Sequence, residues 1–338
     1  MTSLDLTAID REWLSIVLAQ PADVSVRLTY AQVLEQNGDL LRASIVRQTC
    51  NALMLEDASE LDDLLNQMSA HHVGWSRLIG AKLIVEMEKK HLSKYVPRWM
   101  PHVLPALCAD ESPCSLPPSI GSSFFWGDPD LPKGFKWPTY GDCQRFFGDN
   151  SEIDSTSKCH FIGQFNLAEI GPAMFGTCGF TQGLLSLFAF DEYDQYGLSE
   201  VAIFLFPDLS KLRRVKHPVL DEANLRRPCH HISLEYGLTI PEAYDGPWSG
   251  QMALDEGDGD DSVQSEILWE VGVGRFGLFG HLVSTSGGDP TPDVDWQRFL
   301  CVPNDEERVN WHHIAIRRED LAAGNIAGCR SVWVDMDG

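Results

Sequence analysis

The sequence predicts an α+β protein, in which a small helical bundle precedes a mixed, mainly antiparallel β-sheet domain with few helices. Helical periodicity fills the N-terminal third, where apolar residues recur on one face of each segment. Strand-like runs rich in Val, Ile, Leu and Phe fill the remaining two-thirds, and prolines crowd the junction. We therefore expect a helical adaptor module over 1–95, a proline-rich linker over 96–118 and an α+β domain over 119–338.

The N-terminal helices are defined by their breaks as much as by their apolar faces. Pro21 ends the first helix, Ser25 can cap the second, and Asn37-Gly38 ends the second in a left-handed turn. Further helical stretches continue the same period toward residue 95. The adjacent histidines at 71 and 72 point to different helix faces, so they lack the spacing of a metal-binding pair.

The first helices carry a resemblance to a known module. Residues 11–23, 27–39 and 42–48 together resemble the bacterial repeat-companion domain, which is found beside repeats and other interaction domains. The resemblance covers about 8–50 and departs at Gln32, where that family usually has Asp. It implies a bacterial source and an adaptor role, and it implies no chemistry.

The C-terminal two-thirds reads as a series of strands with a few short helices. Strands are expected at 183–190, 200–206, 230–236, 298–302, 313–316 and 331–335. Helices are expected at 167–170, 220–225, part of 241–255 and 318–323. The irregular spacing and the long connections favour antiparallel sheets over a βαβ arrangement.

One stretch, 119–166, stands out because glycines, prolines and tryptophans shape it into a loop. Its candidate binding residues are Trp126, Asp128, Trp137 and Gln164, which we expect to line a groove. A loop tryptophan is either a plug over the core or an anchor for a partner, and across the chain we expect some exposed aromatic surface.

The same stretch opens a second resemblance. Four places carry it in order: Ile120-Gly121, 130–132, Trp137-Pro138 and 161–166. The pattern continues at 279–281 and 314–321. Together these places resemble the YwqG-like family, a domain of unknown function. The resemblance covers about 115–338 and departs at 307–312, where the family often has Trp-Gly-Asp. It implies a fold and no established activity.

Composition limits the partners. The chain has 338 residues and a net charge of −23, which disfavours nucleic-acid and anionic membrane surfaces and suits a partner protein with a basic surface. With no signal peptide or membrane-length apolar run visible, we expect a cytoplasmic location and read the nine cysteines as reduced thiols.

An acidic segment is the second candidate site. It consists of Asp255, Glu256, Asp258, Asp260 and Asp261. Its spacing lacks the glycine and glutamate that a calcium loop of the EF-hand type needs. A solvated loop is the simpler interpretation, and a docking loop for a basic partner is the sharper one.

Motifs for cofactors, metals and catalysis are weak. The G-x-G-x-x-G at 272–277 is not followed by a helical pattern, and the isolated Cys108 and Cys114 lack a second cysteine pair, so no cofactor or metal is expected. Whether Cys159 meets His281 or His313 in space and forms a nucleophile pair depends on the fold, because these residues are far apart in the sequence.

The first hypothesis for function is a non-enzymatic, regulatory binding protein of a bacterium, associated with immunity or defence, that meets its partner through an acidic and aromatic surface. The alternative is a hydrolase or transferase with a site in the groove of Trp126, Trp137 and Gln164.

Overall fold

A computed structural model describes residues 6–55, 58, 60–69, 72–147, 154–170, 178–190, 200–216, 218, 228–241, 252–255, 267, 277–281, 294–303 and 311–334. The predicted fold class is confirmed, because helices fill the N-terminal part and a mainly antiparallel sheet follows. The backbone groups into two compact units, Met1–Cys108 with Leu234–Val294 and Ala109–Ser233 with Asp295–Gly338. We call them unit 1 and unit 2. The predicted division into 1–95, 96–118 and 119–338 stays a prediction.

The helices of unit 1 follow the predicted breaks. They are α1 (Ala8–Ala19), α2 (Val24–Gln36), α3 (Leu40–Leu55), α4 (Leu61–Asn66), α5 (Val73–Leu78), α6 (Ala81–Lys89) and α7 (Val96–Trp99). Gly38 ends the second helix with φ 80°, the left-handed conformation that glycine adopts without a steric penalty. The cap of that helix is Asp23 rather than the expected Ser25, since the Asp23 carboxylate accepts from the amides of residues 25 and 26.

A polar cluster joins the first three helices of unit 1 inside their apolar core. The Asp10 carboxylate is fully buried and accepts hydrogen bonds from Tyr30 Oη at 2.7 Å and from Arg42 at 2.9 Å. The Thr7 hydroxyl caps α1 by accepting from the Asp10 amide at 3.1 Å, and it donates to the Asp10 carboxylate at 2.8 Å. Trp75 Nε1 donates to Tyr30 Oη at 2.8 Å. Each member therefore has its hydrogen-bond partners within the bundle, so the cluster fixes these helices relative to one another.

The proline-rich segment between the helices and the sheet contains regular structure. After α7, a 3₁₀ turn (Met100–His102) leads into β1 (Leu104–Pro113). Pro105 and Pro113 lie at the two ends of this strand, where a missing amide proton interrupts the ladder least. Within unit 1, β1 pairs with β9 (Gly277–Leu278) in antiparallel register.

Five strands of unit 2 lie close to the predicted positions at 183–190, 200–206, 298–302, 313–316 and 331–335, and four others fall where no strand was predicted, three of them within the stretch 119–166 that was expected to be a loop. Together they are β2 (Phe124–Phe125), β3 (Asp130–Pro132), β4 (His160–Asn166), β5 (Leu184–Phe190), β6 (Glu200–Phe206), β7 (Leu212–Arg214), β10 (Trp296–Pro303), β11 (Trp311–Arg317) and β12 (Arg330–Val334). A further strand, β8 (His230–Thr239), begins in this unit. Its helices are α8 (Tyr140–Phe147), α9 (Leu167–Ile170) and α10 (Arg318–Ala323). The sequence predicted α9 and α10 but not α8, and the helix predicted at 220–225 lies outside the described residues.

Antiparallel ladders connect the strands of unit 2. β4, β5 and β6 pair in sequence, β2 lies between β4 and the first residues of β8, and β10, β11 and β12 pair in sequence. β3 and β7 form a separate two-stranded sheet. Phenylalanines 124, 161 and 188 pack edge to face across the first ladder, which places the core of this unit against one face of it.

No helix in the part of the chain that the structure describes is long and apolar enough to cross a membrane.

We expect Asp10→Asn to lower the free energy of unfolding by about 3 kcal/mol at neutral pH, because it removes the buried charge partner of Arg42, which is itself buried. Burial alone would raise the pKa of Asp10, but hydrogen bonds from Tyr30 and Thr7 and the charge of Arg42 outweigh it and hold that pKa below 3.8. The stabilisation by this carboxylate is therefore complete above pH 3.8 and is lost as the pH falls through the lowered pKa.

Urea unfolding followed by circular dichroism measures the effect. Glu35→Gln is the matched control, because it removes the exposed ion pair with Arg47 and is expected to change stability little. Equal losses in the two variants would show that the buried cluster has no special role.

Candidate binding site

The turn after β2 has an uncommon backbone conformation. Trp126 and Gly127 have φ values of 59° and 75°, both in the left-handed region that a bulky residue rarely adopts. The Trp126 amide donates to Ile162 O at 2.7 Å, and its side chain is only 9% exposed. The anchored tryptophan thus covers the core, and the reversed chain leads directly through Asp128 into β3.

Asp130, the first residue of β3, is the polar centre of unit 2. Its side chain is fully buried. Oδ2 accepts from the Gly121 amide at 2.9 Å and from Gln164 Nε2 at 2.8 Å, and Oδ1 accepts from Arg214 Nε at 2.7 Å. Gln164 also accepts from the Asp130 amide at 2.9 Å and donates to Ser122 O at 2.8 Å. We call Asp130, Gln164 and Arg214 the Asp130 cluster.

Arg214 connects this cluster to the surface. Besides Asp130, its guanidinium donates to Pro118 O at 3.0 Å and lies over the ring of Phe124, 5.0 Å from the ring centre. About a quarter of the side chain is exposed, 24% by area. The arginine thus holds the segment before β2 against β7 and presents one edge to solvent.

A pocket of about 470 Å³ opens beside Arg214. We call it the thiol pocket, and its lining residues all belong to unit 2: Cys114, Ser115, Leu116, Pro117, Pro118, Gly127, Asp128, Arg214, Pro228 and Cys229. Its size lies within the range of small-ligand and side-chain sites. Its outer lip is apolar, because Leu116 is 77% exposed.

Two thiols meet in the wall of this pocket. Cys114 Sγ and Cys229 Sγ lie 3.2 Å apart, and the Cys114 amide donates to Cys229 O at 2.9 Å. Burial and the neighbouring Cys114 raise the pKa of the Cys229 thiol to about 12. Gly127 leaves room beside them, since a Cβ at this glycine would lie 3.1 Å from Cys229 Cβ.

The four predicted groove residues take different places. Trp126 is a plug over the core. Trp137 is half-buried, donates from Nε1 to Cys159 O at 2.7 Å and packs at a right angle on Phe188. Gln164 is fully buried in the Asp130 cluster, and Asp128 lines the thiol pocket. Among the described residues, the large exposed apolar side chains are aliphatic rather than aromatic.

Of the predicted acidic segment, the structure describes Asp255, in unit 1. Its carboxylate is 62% exposed and pairs with Lys94 at 3.1 Å, while its amide donates to Tyr95 Oη at 2.6 Å. Glu256, Asp258, Asp260 and Asp261 lie outside the described residues.

Cys159 and His281, one of the two proposed nucleophile pairs, contact other groups, and the side chain of His313 lies outside the described residues. Cys159 is fully buried with its sulfur 3.8 Å from that of Cys143. His281 Nε2 donates to His102 O at 2.7 Å, and His230 Nδ1 lies 3.0 Å from a Glu111 carboxylate oxygen. In the described parts of the chain, no group of three or more His, Cys, Asp or Glu side chains converges as a metal site.

Sequence reasoning missed Asp130, Arg214 and the pairing of Cys114 with Cys229. Gln164 carried a usable signal, because a lone amide within the apolar run 161–165 needs a buried polar partner. The sequence does not show that this partner is Asp130, because Asp130 lies 34 positions from Gln164 and 84 positions from Arg214 along the chain.

Part of this region is similar to one known family. A family model described as "Domain of unknown function (DUF1963)" matches residues 123–236, which include β2 to β7, Asp130, Gln164 and Arg214. No curated protein matches the chain.

We expect Gln164→Leu to lower the free energy of unfolding by about 3 kcal/mol, because it leaves the buried Asp130 amide and the Ser122 carbonyl unpaired. Chemical unfolding followed by tryptophan fluorescence measures this loss. Gln48→Leu removes a surface hydrogen bond to Glu60 and serves as the control, with an expected change below about 1 kcal/mol. Similar changes in both variants would contradict the central role of the Asp130 cluster.

Proposed function

We propose that this chain is a non-enzymatic binding protein, and that the thiol pocket takes an aliphatic side chain of a partner protein. The observation that carries the proposal is the exposed lip of the pocket. Leu116 lines the cavity of about 470 Å³ and is 77% exposed, and Ile120, two residues after the lining residue Pro118, is 51% exposed. Exposed apolar side chains next to a pocket are a common setting of a binding anchor, because their burial removes apolar surface from water.

The polar groups near the pocket support binding rather than chemistry. Gln164 and Asp130 are fully buried and form hydrogen bonds with each other and with backbone groups. Arg214 is committed to Asp130 and Pro118. Groups fixed in this way shape a wall, whereas catalysis requires a base or nucleophile aimed at a reacting atom. We therefore favour binding over the alternative of a hydrolase or transferase.

The charge of the chain favours a partner with a basic surface. The net charge of −23 attracts such a protein over long range, and Asp128 and the exposed Asp255 contribute to it. The acidity is not uniform, because exposed Lys133, Lys211 and Arg213 lie along the β3–β7 sheet. We expect the basic surface of the partner to avoid this sheet and to face the acidic segment.

The two sequence resemblances extend the proposal. The YwqG-like resemblance over 115–338 contains the matched domain of unknown function, and the repeat-companion resemblance over 8–50 corresponds to the first three helices. An adaptor module beside a binding domain suits a regulatory protein of a bacterium. We propose a cytoplasmic location and a partner that belongs to an immunity, regulatory or defence system.

The double variant Leu116→Ser, Ile120→Ser is expected to weaken partner binding about 30-fold, which corresponds to about 2 kcal/mol for loss of an apolar anchor. The partner is first isolated from the source organism with the intact chain, then purified, and its Kd is measured by calorimetry. Leu40→Ser is the control, because Leu40 is 65% exposed in unit 1 and lies outside the pocket.

A second variant tests the charge. Replacing Asp255, Glu256, Asp258, Asp260 and Asp261 by their amides is expected to weaken binding and to reduce its dependence on salt.

A partner that binds the Leu116→Ser, Ile120→Ser variant as tightly as the unaltered chain would contradict the pocket proposal. A co-purifying small molecule that the chain converts, in place of a stoichiometric partner, would favour the enzymatic alternative.

A further inference from the structure

The contact between Cys114 and Cys229 is closer than packing of two unrelated side chains requires. Their sulfurs are 3.2 Å apart, and a backbone hydrogen bond of 2.9 Å joins the two residues directly. A disulfide needs a sulfur–sulfur distance of about 2.05 Å and Cα atoms about 4.4–6.8 Å apart, a spacing typical of neighbouring chain segments joined by a backbone hydrogen bond. Small side-chain rotations can therefore bring the two sulfurs, already 3.2 Å apart, to bonding distance.

We propose that Cys114 and Cys229 are a redox-active dithiol, which forms a reversible disulfide by exchange with low-molecular-weight disulfides such as oxidised glutathione. This site goes beyond the proposed function and does not depend on it, because the reaction requires only the two thiols and their access to solvent.

The thiols of Cys114 and Cys229 are accessible to solvent, and this distinguishes them from a second pair of neighbouring thiols in unit 2. Cys114 and Cys229 are half-buried and line a pocket that is open to solvent. Cys143 and Cys159 also have sulfurs within 3.8 Å, but both side chains are fully buried. The hydrogen bond with Cys143 and burial raise the pKa of Cys159, which keeps that thiol protonated. The buried pair is therefore a built-in control of similar geometry.

The exchange proceeds in two steps, in which one cysteine of the pair attacks the reagent and the other completes the bond. The thiolate of the first cysteine attacks one sulfur of the reagent, the reagent's S–S bond breaks, and one reagent thiolate leaves and takes up a proton. The second cysteine then loses its proton to water and attacks the sulfur of the first, which releases the second reagent thiolate, and this thiolate also takes up a proton. In total, the two protein thiols lose two electrons and two protons, and one reagent disulfide becomes two thiols.

The bond would close a long loop. Cys114 and Cys229 are 115 residues apart, and the segment between them contains the whole Asp130 cluster. A cross-link over such a loop restricts the unfolded chain, so the oxidised form should resist heat better than the reduced form. It would also draw together two walls of the thiol pocket.

The test uses the full chain, first reduced and then incubated with oxidised glutathione. Remaining thiols are alkylated, and mass spectrometry of the intact protein and of its peptides follows the reaction. We expect loss of two hydrogens, a cross-linked peptide pair that contains Cys114 and Cys229, full reversal by dithiothreitol and a higher Tm of the oxidised form. The pair should oxidise at least about ten-fold faster than Cys143 with Cys159.

Single variants test the two-step exchange. Cys229→Ser and Cys114→Ser are each expected to stop at a stable glutathione adduct on the remaining cysteine of the pair. Cys143→Ser is the matched control and should form the cross-link at the normal rate. Equal oxidation of the two pairs, cross-links between other cysteines, or a glutathione adduct in the unaltered chain that never resolves would overturn the proposal. Thermal unfolding of each reduced variant separates these results from misfolding.

Discussion

The buried carboxylate of Asp130 is the constraint on which the architecture of unit 2 depends. A buried negative charge is costly unless it is paired and hydrogen-bonded, and here one guanidinium, one amide side chain and one backbone amide meet that need. These donors come from the segment before β2, from β4 and from β7. Satisfying one side chain therefore fixes three separate pieces of chain relative to β3.

The pocket follows from this constraint. Arg214 is held by Asp130 and reaches Pro118, so the segment 115–118 is placed as the outer wall. Trp126 and Gly127 turn the chain sharply and leave space beside Cys229. Phe279 and Gly280 in unit 1 repeat this device, with φ values of 66° and 86° directly after a two-residue strand. Among the described residues, an aromatic residue followed by glycine in the left-handed region thus ends a short strand in two places.

Much of the fold could be predicted because its signals are local. The apolar runs that became β5 and β6 and the glycine that ends α2 are legible in a few neighbouring residues. The strand β1 was missed, since its prolines suggested a linker and their position at the strand ends was not considered. Helix α8 was missed because it is only eight residues long and lies at the start of a polar insert.

The sequence by itself determined the α+β class, the order of most elements, the strong acidity and the importance of the stretch 119–166. Only the tertiary structure decided which side chains meet: Asp130 with Arg214 across 84 residues, and Cys114 with Cys229 across 115. The physical reason is that periodicity records which face of an element avoids water, whereas partners across a sheet depend on register and topology. Those are set by the burial and hydrogen bonding of the whole unit together.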